Sequence, residues 1–322
     1  MRFECRRKIR IALVVLCLQI GLVQSTQAQE PAPQTGRGAV PAAKRGGFMQ
    51  IPVDPRVQMR SYAFKDGDIS QNLEYAVFVS SKVSKDKKAP LIVTLHGLGA
   101  GPAIMFGKKA LELADEGGYI LVGPMGFNVR GWYGIPMGPM GAGRGAPPKT
   151  ANSTAPPAQP DAAAPAPKPK ASLFSDPNDP PNLRELSEKD VMNVLDMVRK
   201  EFNVDDRRIY LMGHSMGGAG TLYLGVKYSS IWAALGPIAP AAFGLDPGSL
   251  EKIPSMPVIF VHGDADEVVP VANTRKWVDK LKELNMTYEY NEMPGVSHGP
   301  VIDQALPSVY AFFAKHSKLA VH

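Results

Sequence analysis

Ser215 lies in the stretch LMGHSMGGAG (Leu211–Gly220), where Gly213-His214-Ser215-Met216-Gly217 spells G-x-S-x-G. A tight turn that lifts a serine hydroxyl out of a sheet needs small neighbours, and glycines on both sides supply them. In a chain with 31 glycines so short a pattern arises by chance, so its surroundings must decide. RRIYLMG (Arg207–Gly213) precedes it as a strand, and MGGAGTLYLGVKYS follows with helical character. A strand–Ser–helix junction exposes the hydroxyl and sets the N–H groups and positive end of a helix behind it, ready for an oxyanion. A glycine turn that holds a phosphate would want a lysine in P-loop position, and none follows.

A serine hydroxyl is a weak nucleophile without a base. Of the six histidines, His214 sits inside the turn and points away from the serine. His96 and His262 each end an apolar strand before a glycine and read as structural, and His316 and His322 read as surface residues. His298, in MPGVSHGP, falls on a loop between the last strand and the last helix, at the sheet edge where ligand chemistry gathers in open α/β folds. It also completes the chain order serine, acid, histidine. The acid belongs between them, after a strand, and VIFVHGDADEVVP offers Asp264, Asp266 and Glu267. For an oxyanion, one N–H is expected from Met216 and a second from Leu98 or Gly99 in LHGLGAGP.

These residues need a scaffold, and the chain alternates strands and helices. LEYAVFVS (Leu73–Ser80) alternates as a strand with one exposed face, while APLIVTLHG (Ala89–Gly97) and YILVGP (Tyr119–Pro124) are continuous apolar runs suited to buried parallel strands. A helix is expected over roughly 104–116. A second should open on a capping pair, Ser187 with Asp190, and present Val191, Leu195, Val198 and Phe202 on one face. WAALGPIA, MPVIFVHG and TYEYNEM follow as strands, with helices near Thr274–Leu284 and Ile302–Ala314. The pattern predicts an α/β fold with a mostly parallel central sheet and helices on both faces.

With G-H-S-M-G-G, H-G-D-A-D-E-V-V-P, V-S-H and L-H-G-L-G in this order, the chain resembles the α/β-hydrolase superfamily. Within it, the chain is most similar to secreted bacterial esterases of the carboxylesterase, polyhydroxybutyrate-depolymerase and prolyl-oligopeptidase-like group. The resemblance covers about Leu73–Phe313 outside a Pro-rich insertion. It implies an α/β-hydrolase fold and a Ser215–Asp266–His298 triad, with Asp266 as the acid of the H-G-x-x-D-x-V-x-P pattern. It also implies an oxyanion site at Met216 and Leu98. The implied reaction is ester hydrolysis through an acyl-enzyme. Serine peptidase activity, or a catalytically idle envelope protein that keeps the fold, are the alternatives. The chain departs from lipases with three glycines after the histidine, since Leu98 follows Gly97. Trp132 and Tyr133, in FNVRGWYG, follow the strand Tyr119–Pro124 and are candidates to line the substrate cleft, or else to pack as a loop cluster.

The ends and the insertion have a different composition. Residues 1–28 carry a basic head, an apolar run and small residues before Ala28, which read as a cleaved secretory signal peptide and predict export to the periplasm or beyond. Five basic residues against Glu4 put +4 of the net +6 in this leader, leaving +2 for the mature chain, too little to suggest a nucleic-acid partner. Both cysteines, Cys5 and Cys17, are in the leader, so no disulfide is expected after cleavage. Residues 29–58 read as a disordered tail and 59–322 as the catalytic domain. Its Pro/Ala/Gly-rich insertion at about 136–182 reads as a solvated loop or a flap, not a folded cap. No metal or organic cofactor is implied, no stable membrane insertion is expected after cleavage, and a small or polymeric ester is the expected substrate.

Overall fold

The computed structural model describes residues 53–136 and 176–319. The expected signal peptide, most of the tail and most of the insertion lie outside the described residues. Among those described, no helix is long and apolar enough to cross a membrane.

Eight strands form one sheet: β1 (Gln58–Asp66), β2 (Ile69–Val79), β3 (Ala89–Leu95), β4 (Ile120–Pro124), β5 (Val204–His214), β6 (Ala234–Ile238), β7 (Val258–Gly263) and β8 (Tyr288–Met293). Their spatial order is β1-β2-β4-β3-β5-β6-β7-β8. The β1–β2 and β2–β4 pairs are antiparallel and every later pair is parallel. The helices are α1 (Lys108–Gly117), α2 (Leu183–Glu201), α3 (Met216–Lys227), α4 (Ala272–Glu283) and α5 (Val301–Lys315).

The two-residue period of a strand sorts its side chains between two cores. Leu91, Val93 and Leu95 of β3 join Val191, Leu195, Leu222 and Trp277 from α2, α3 and α4. Ile92, with Tyr210 and Met212 of β5, packs instead with Ala110, Leu111, Leu306 and Phe313 from α1 and α5. Helices cover both faces, so β3 is apolar throughout and all seven of its residues are buried.

β1 was not anticipated: its polar residues alternate on an edge strand, where only Phe64 is fully buried. β2 does not alternate as its sequence suggests. Tyr75–Phe78 are buried on both faces because Tyr75 and Val77 pack into one core and Ala76 and Phe78 into the other. The second helix begins at Leu183, four residues before the expected cap, so Ser187 and Asp190 lie inside α2 and are buried. The last stretch of the expected insertion is held against the chain, with Arg130 pairing with Asp176 at 3.1 Å and Asp179 at 2.5 Å.

Candidate active site

β5 runs into Ser215, which adopts φ 57° and ψ −116°, and α3 starts at the next residue. Such angles cost a non-glycine residue about 1–3 kcal/mol and persist only where the surroundings impose them. Here they do. The Ser215 N–H donates to the Ile238 carbonyl at 3.0 Å, and its own carbonyl accepts from Ala219 at 3.0 Å and Ala241 at 2.9 Å. The flanking glycines let backbones touch. A Cβ on Gly213 would stand 2.3 Å from the Gly217 carbonyl oxygen, and one on Gly217 would stand 2.0 Å from that of Leu95.

The turn after β7 and the loop after β8 meet at the same edge of the sheet. His298 Nδ1 lies 2.6 Å from Asp266 Oδ2. The other carboxylate oxygen accepts from the Val268 and Val269 N–H groups at 2.8 and 2.7 Å. Burial pushes the Asp266 carboxyl up, but these hydrogen bonds outweigh it and hold the group below its ordinary range. Asp264 is exposed and accepts instead from the Gly295 N–H at 2.6 Å. Of the acids after β7, Asp266 is the one bonded to His298.

His214 ties this loop to the elbow. Its Nε2–H donates to the His298 carbonyl at 2.8 Å, and the two rings lie 4.5 Å apart. Burial and the neighbouring His298 lower its pKa to about 3, so it is a neutral donor. His298 is thereby held beside the residue that precedes Ser215, a role for His214 that its position in the turn did not suggest.

His262 is fully buried against the same carboxylate. Its Nε2 faces the Val269 carbonyl at 2.9 Å and Asp266 Oδ2 at 3.2 Å, and its Nδ1 meets the Thr274 hydroxyl at 2.7 Å. Two acceptors at Nε2 place the proton there, and Thr274 donates to Nδ1. Burial lowers the pKa, so this neutral ring gives Asp266 a further donor. The i, i+4 spacing of His262 and Asp266 was the available signal.

Gly97 faces the elbow, since a Cβ there would lie 3.5 Å from Ser215 Cβ. Of the two candidate donors beyond it, the Gly99 N–H is already bonded to the Val129 carbonyl at 2.8 Å. Leu98 has no backbone acceptor among the described residues, and neither has Met216 at the first position of α3. The two N–H groups named for the oxyanion therefore remain available.

The aromatic pair separates. Trp132 is half-buried, with the Arg184 guanidinium 5.7 Å from its ring centre. Tyr133 is fully buried and its hydroxyl donates to the His96 carbonyl at 2.9 Å. The expectation that Tyr133 walls an open cleft is corrected to the packed alternative, because its ring fills the core beneath the loop after β3.

Residues 178–317 match the family described as Phospholipase/Carboxylesterase. A thermostable esterase of known structure superposes with a TM-score of 0.53 at 26% identity, over 81% of this chain and 63% of that one. The chain has the α/β-hydrolase fold. Two further structures share the fold: an S-formylglutathione hydrolase from Agrobacterium tumefaciens (TM-score 0.55, 14% identity, 82% of this chain and 96% of that one) and a ferulic acid esterase from Anaeromyces mucronatus (0.54, 16%, 85% and 96%). In sequence, the chain is 30% identical to Cutinase 1 from Thermobifida cellulosilytica over 95 residues, 30% of this chain and 34% of that protein. It is 36% identical to a bifunctional acetylxylan esterase/xylanase from Neocallimastix patriciarum over 80 residues, 24% of this chain and 11% of that protein. The matched stretch thus spans about a third or less of these curated relatives.

Proposed function

We propose that this α/β-hydrolase is an exported serine esterase that cleaves carboxylic esters through Ser215, His298 and Asp266. One observation carries the reading. A strained, buried serine directly follows the residue that holds the backbone of a histidine, and that histidine's Nδ1 is held by a buried carboxylate. Ser215 Oγ attacks the ester carbonyl carbon while His298 Nε2 takes its proton, and Asp266 keeps the other ring proton on Nδ1. The Met216 and Leu98 N–H groups receive the oxyanion. His298 then gives its proton to the departing alcohol, and water, deprotonated by His298, frees the acid from the acyl-enzyme. The basic, apolar leader supports export.

The esterases and cutinases among the relatives favour esters over peptides as substrates. Two exposed apolar side chains agree with an ester that has apolar bulk. Val268 lies two residues beyond Asp266, and Phe243 lies two beyond Ala241, which binds the Ser215 carbonyl. The test is to treat the mature protein and Ser215→Ala with a fluorophosphonate probe, p-nitrophenyl acetate and an aryl hydroxycinnamate ester. Labelling and turnover by the wild type, both lost in the variant, are expected. A wild type that neither labels nor turns over sinks the esterase reading, and activity that survives in Ser215→Ala sinks the choice of serine.

A further inference from the structure

The loop that follows β4 carries unusual strain and no assigned role. Phe127, Trp132 and Tyr133 have φ of 65°, 55° and 51°, and Gly126 has 64°. Three non-glycine residues in the left-handed region of one short loop need outside support. Helix α2 provides it. Asp190 Oδ2 accepts from the Gly126 N–H at 2.7 Å and the Phe127 N–H at 3.3 Å, while its Oδ1 accepts from the Tyr62 hydroxyl of β1 at 2.6 Å. One turn earlier, Ser187 Oγ accepts from the Tyr133 N–H at 3.1 Å. Both side chains are fully buried, so the bonds are shielded from competing water.

The same loop grips the segment around Gly97, which faces Ser215. The Val129 carbonyl holds the Gly99 N–H at 2.8 Å, the Tyr133 hydroxyl holds the His96 carbonyl at 2.9 Å, and the His96 ring reaches the Met125 carbonyl at 2.7 Å. These bonds surround Leu98 on both sides along the chain. We infer that Asp190 is a positioning residue: by fixing the Gly126–Tyr133 loop it sets the His96–Gly99 backbone, and so the aim of the Leu98 N–H at the developing oxyanion. The catalytic part of this inference rests on the esterase reading, whereas the mechanical coupling does not.

Two measurements separate them. Asp190→Asn is the matched control, because its oxygen can still accept from the Gly126 and Phe127 N–H groups while its NH2 donates to the Tyr62 hydroxyl oxygen, and it should stay close to wild type. The acceptor of both loop N–H groups is removed in Asp190→Ala. In that variant, hydrogen exchange of peptides spanning 96–100 is expected to quicken at least tenfold, along with those spanning 125–134. At pH 8, kcat per phosphonate-titrated active site is expected to fall about ten- to a hundredfold with KM within threefold. Complete loss of one oxyanion donor costs about a hundred- to a thousandfold, and this donor is misaimed rather than removed. Tyr62→Phe, which deletes only the outer bond, should keep kcat. If Asp190→Ala does not fold, Tyr133→Phe removes the next link, the bond to the His96 carbonyl, and is expected to show the same selective loss. Unchanged kcat per site and unchanged exchange at 96–100 would overturn the inference. A wild type without esterase activity but with exchange coupled as described would remove the esterase reading and leave the coupling standing.

Discussion

The change Asp266→Asn alters one atom, and the surrounding hydrogen bonds dictate how the amide sits. The Oδ1 position accepts from the Val268 and Val269 N–H groups at 2.8 and 2.7 Å, so the amide must keep its oxygen there. Its NH2 then takes the place of Oδ2, 2.6 Å from His298 Nδ1 and 3.2 Å from the donor nitrogen of His262. A donor facing His298 Nδ1 forces the ring proton onto Nε2, the nitrogen that accepts from Ser215 in the proposed mechanism. The same acid-to-amide change in a serine protease triad leaves geometry intact and costs about ten-thousandfold in kcat, ~5.5 kcal/mol of transition-state stabilisation. A loss of that order in kcat for p-nitrophenyl acetate is expected here. Circular dichroism should be unchanged and KM should shift little. The matched control is Asp264→Asn, where an exposed carboxylate becomes an amide whose oxygen can still accept from the Gly295 N–H, and kcat should stay within about threefold. An Asp266→Asn enzyme within tenfold of wild type, or an Asp264→Asn enzyme more damaged than it, would refute the assignment of the acid.

Gly217→Ala is expected to destabilise the fold by about 2–3 kcal/mol, because its Cβ would meet backbone atoms of Leu95 and His96 at 2.0, 2.5 and 2.8 Å and none can swing aside. Gly101→Ala, with open space around it, should stay within about 0.5 kcal/mol, and equal urea midpoints for the two would contradict the close approach. Burial raises the Asp190 carboxyl to about 6 despite hydrogen bonds from Tyr62, Phe127 and Gly126, and the titratable groups that face it are Tyr62 and Tyr133. The folded state therefore binds a proton more tightly than the unfolded chain. This group's contribution to stability grows as pH falls from above 6 to below the unfolded carboxylate pKa, by about 3 kcal/mol for two units. Urea titrations at pH 7 and pH 4 should show wild type gaining on Asp190→Asn by about 2 kcal/mol, since pH 4 lies near the unfolded pKa, and a constant difference would contradict the raised pKa.

What could be read along the chain was what is local. Ser215 was legible because a strand, a tight turn and a helix are consecutive, and because glycine at 213 and 217 answers a contact made within the same few residues or with the adjacent strand β3. The fully apolar β3 and β4 announced a sheet covered on both faces, since a strand with one wet face would alternate. β1 escaped because an edge strand buries too little to leave a pattern. Asp264 and Asp266 follow the same strand two residues apart, so their sequence is equally compatible with either as the acid. The turn after β7 aims one at His298 and the other at Gly295. Tyr133 had the composition of a cleft wall, but a left-handed backbone turns its ring into the core. Ser187 and Asp190 had the spacing of a helix cap, and became buried acceptors for N–H groups more than fifty residues away. A buried polar side chain must find a partner, and only the tertiary structure decides which part of the chain supplies it.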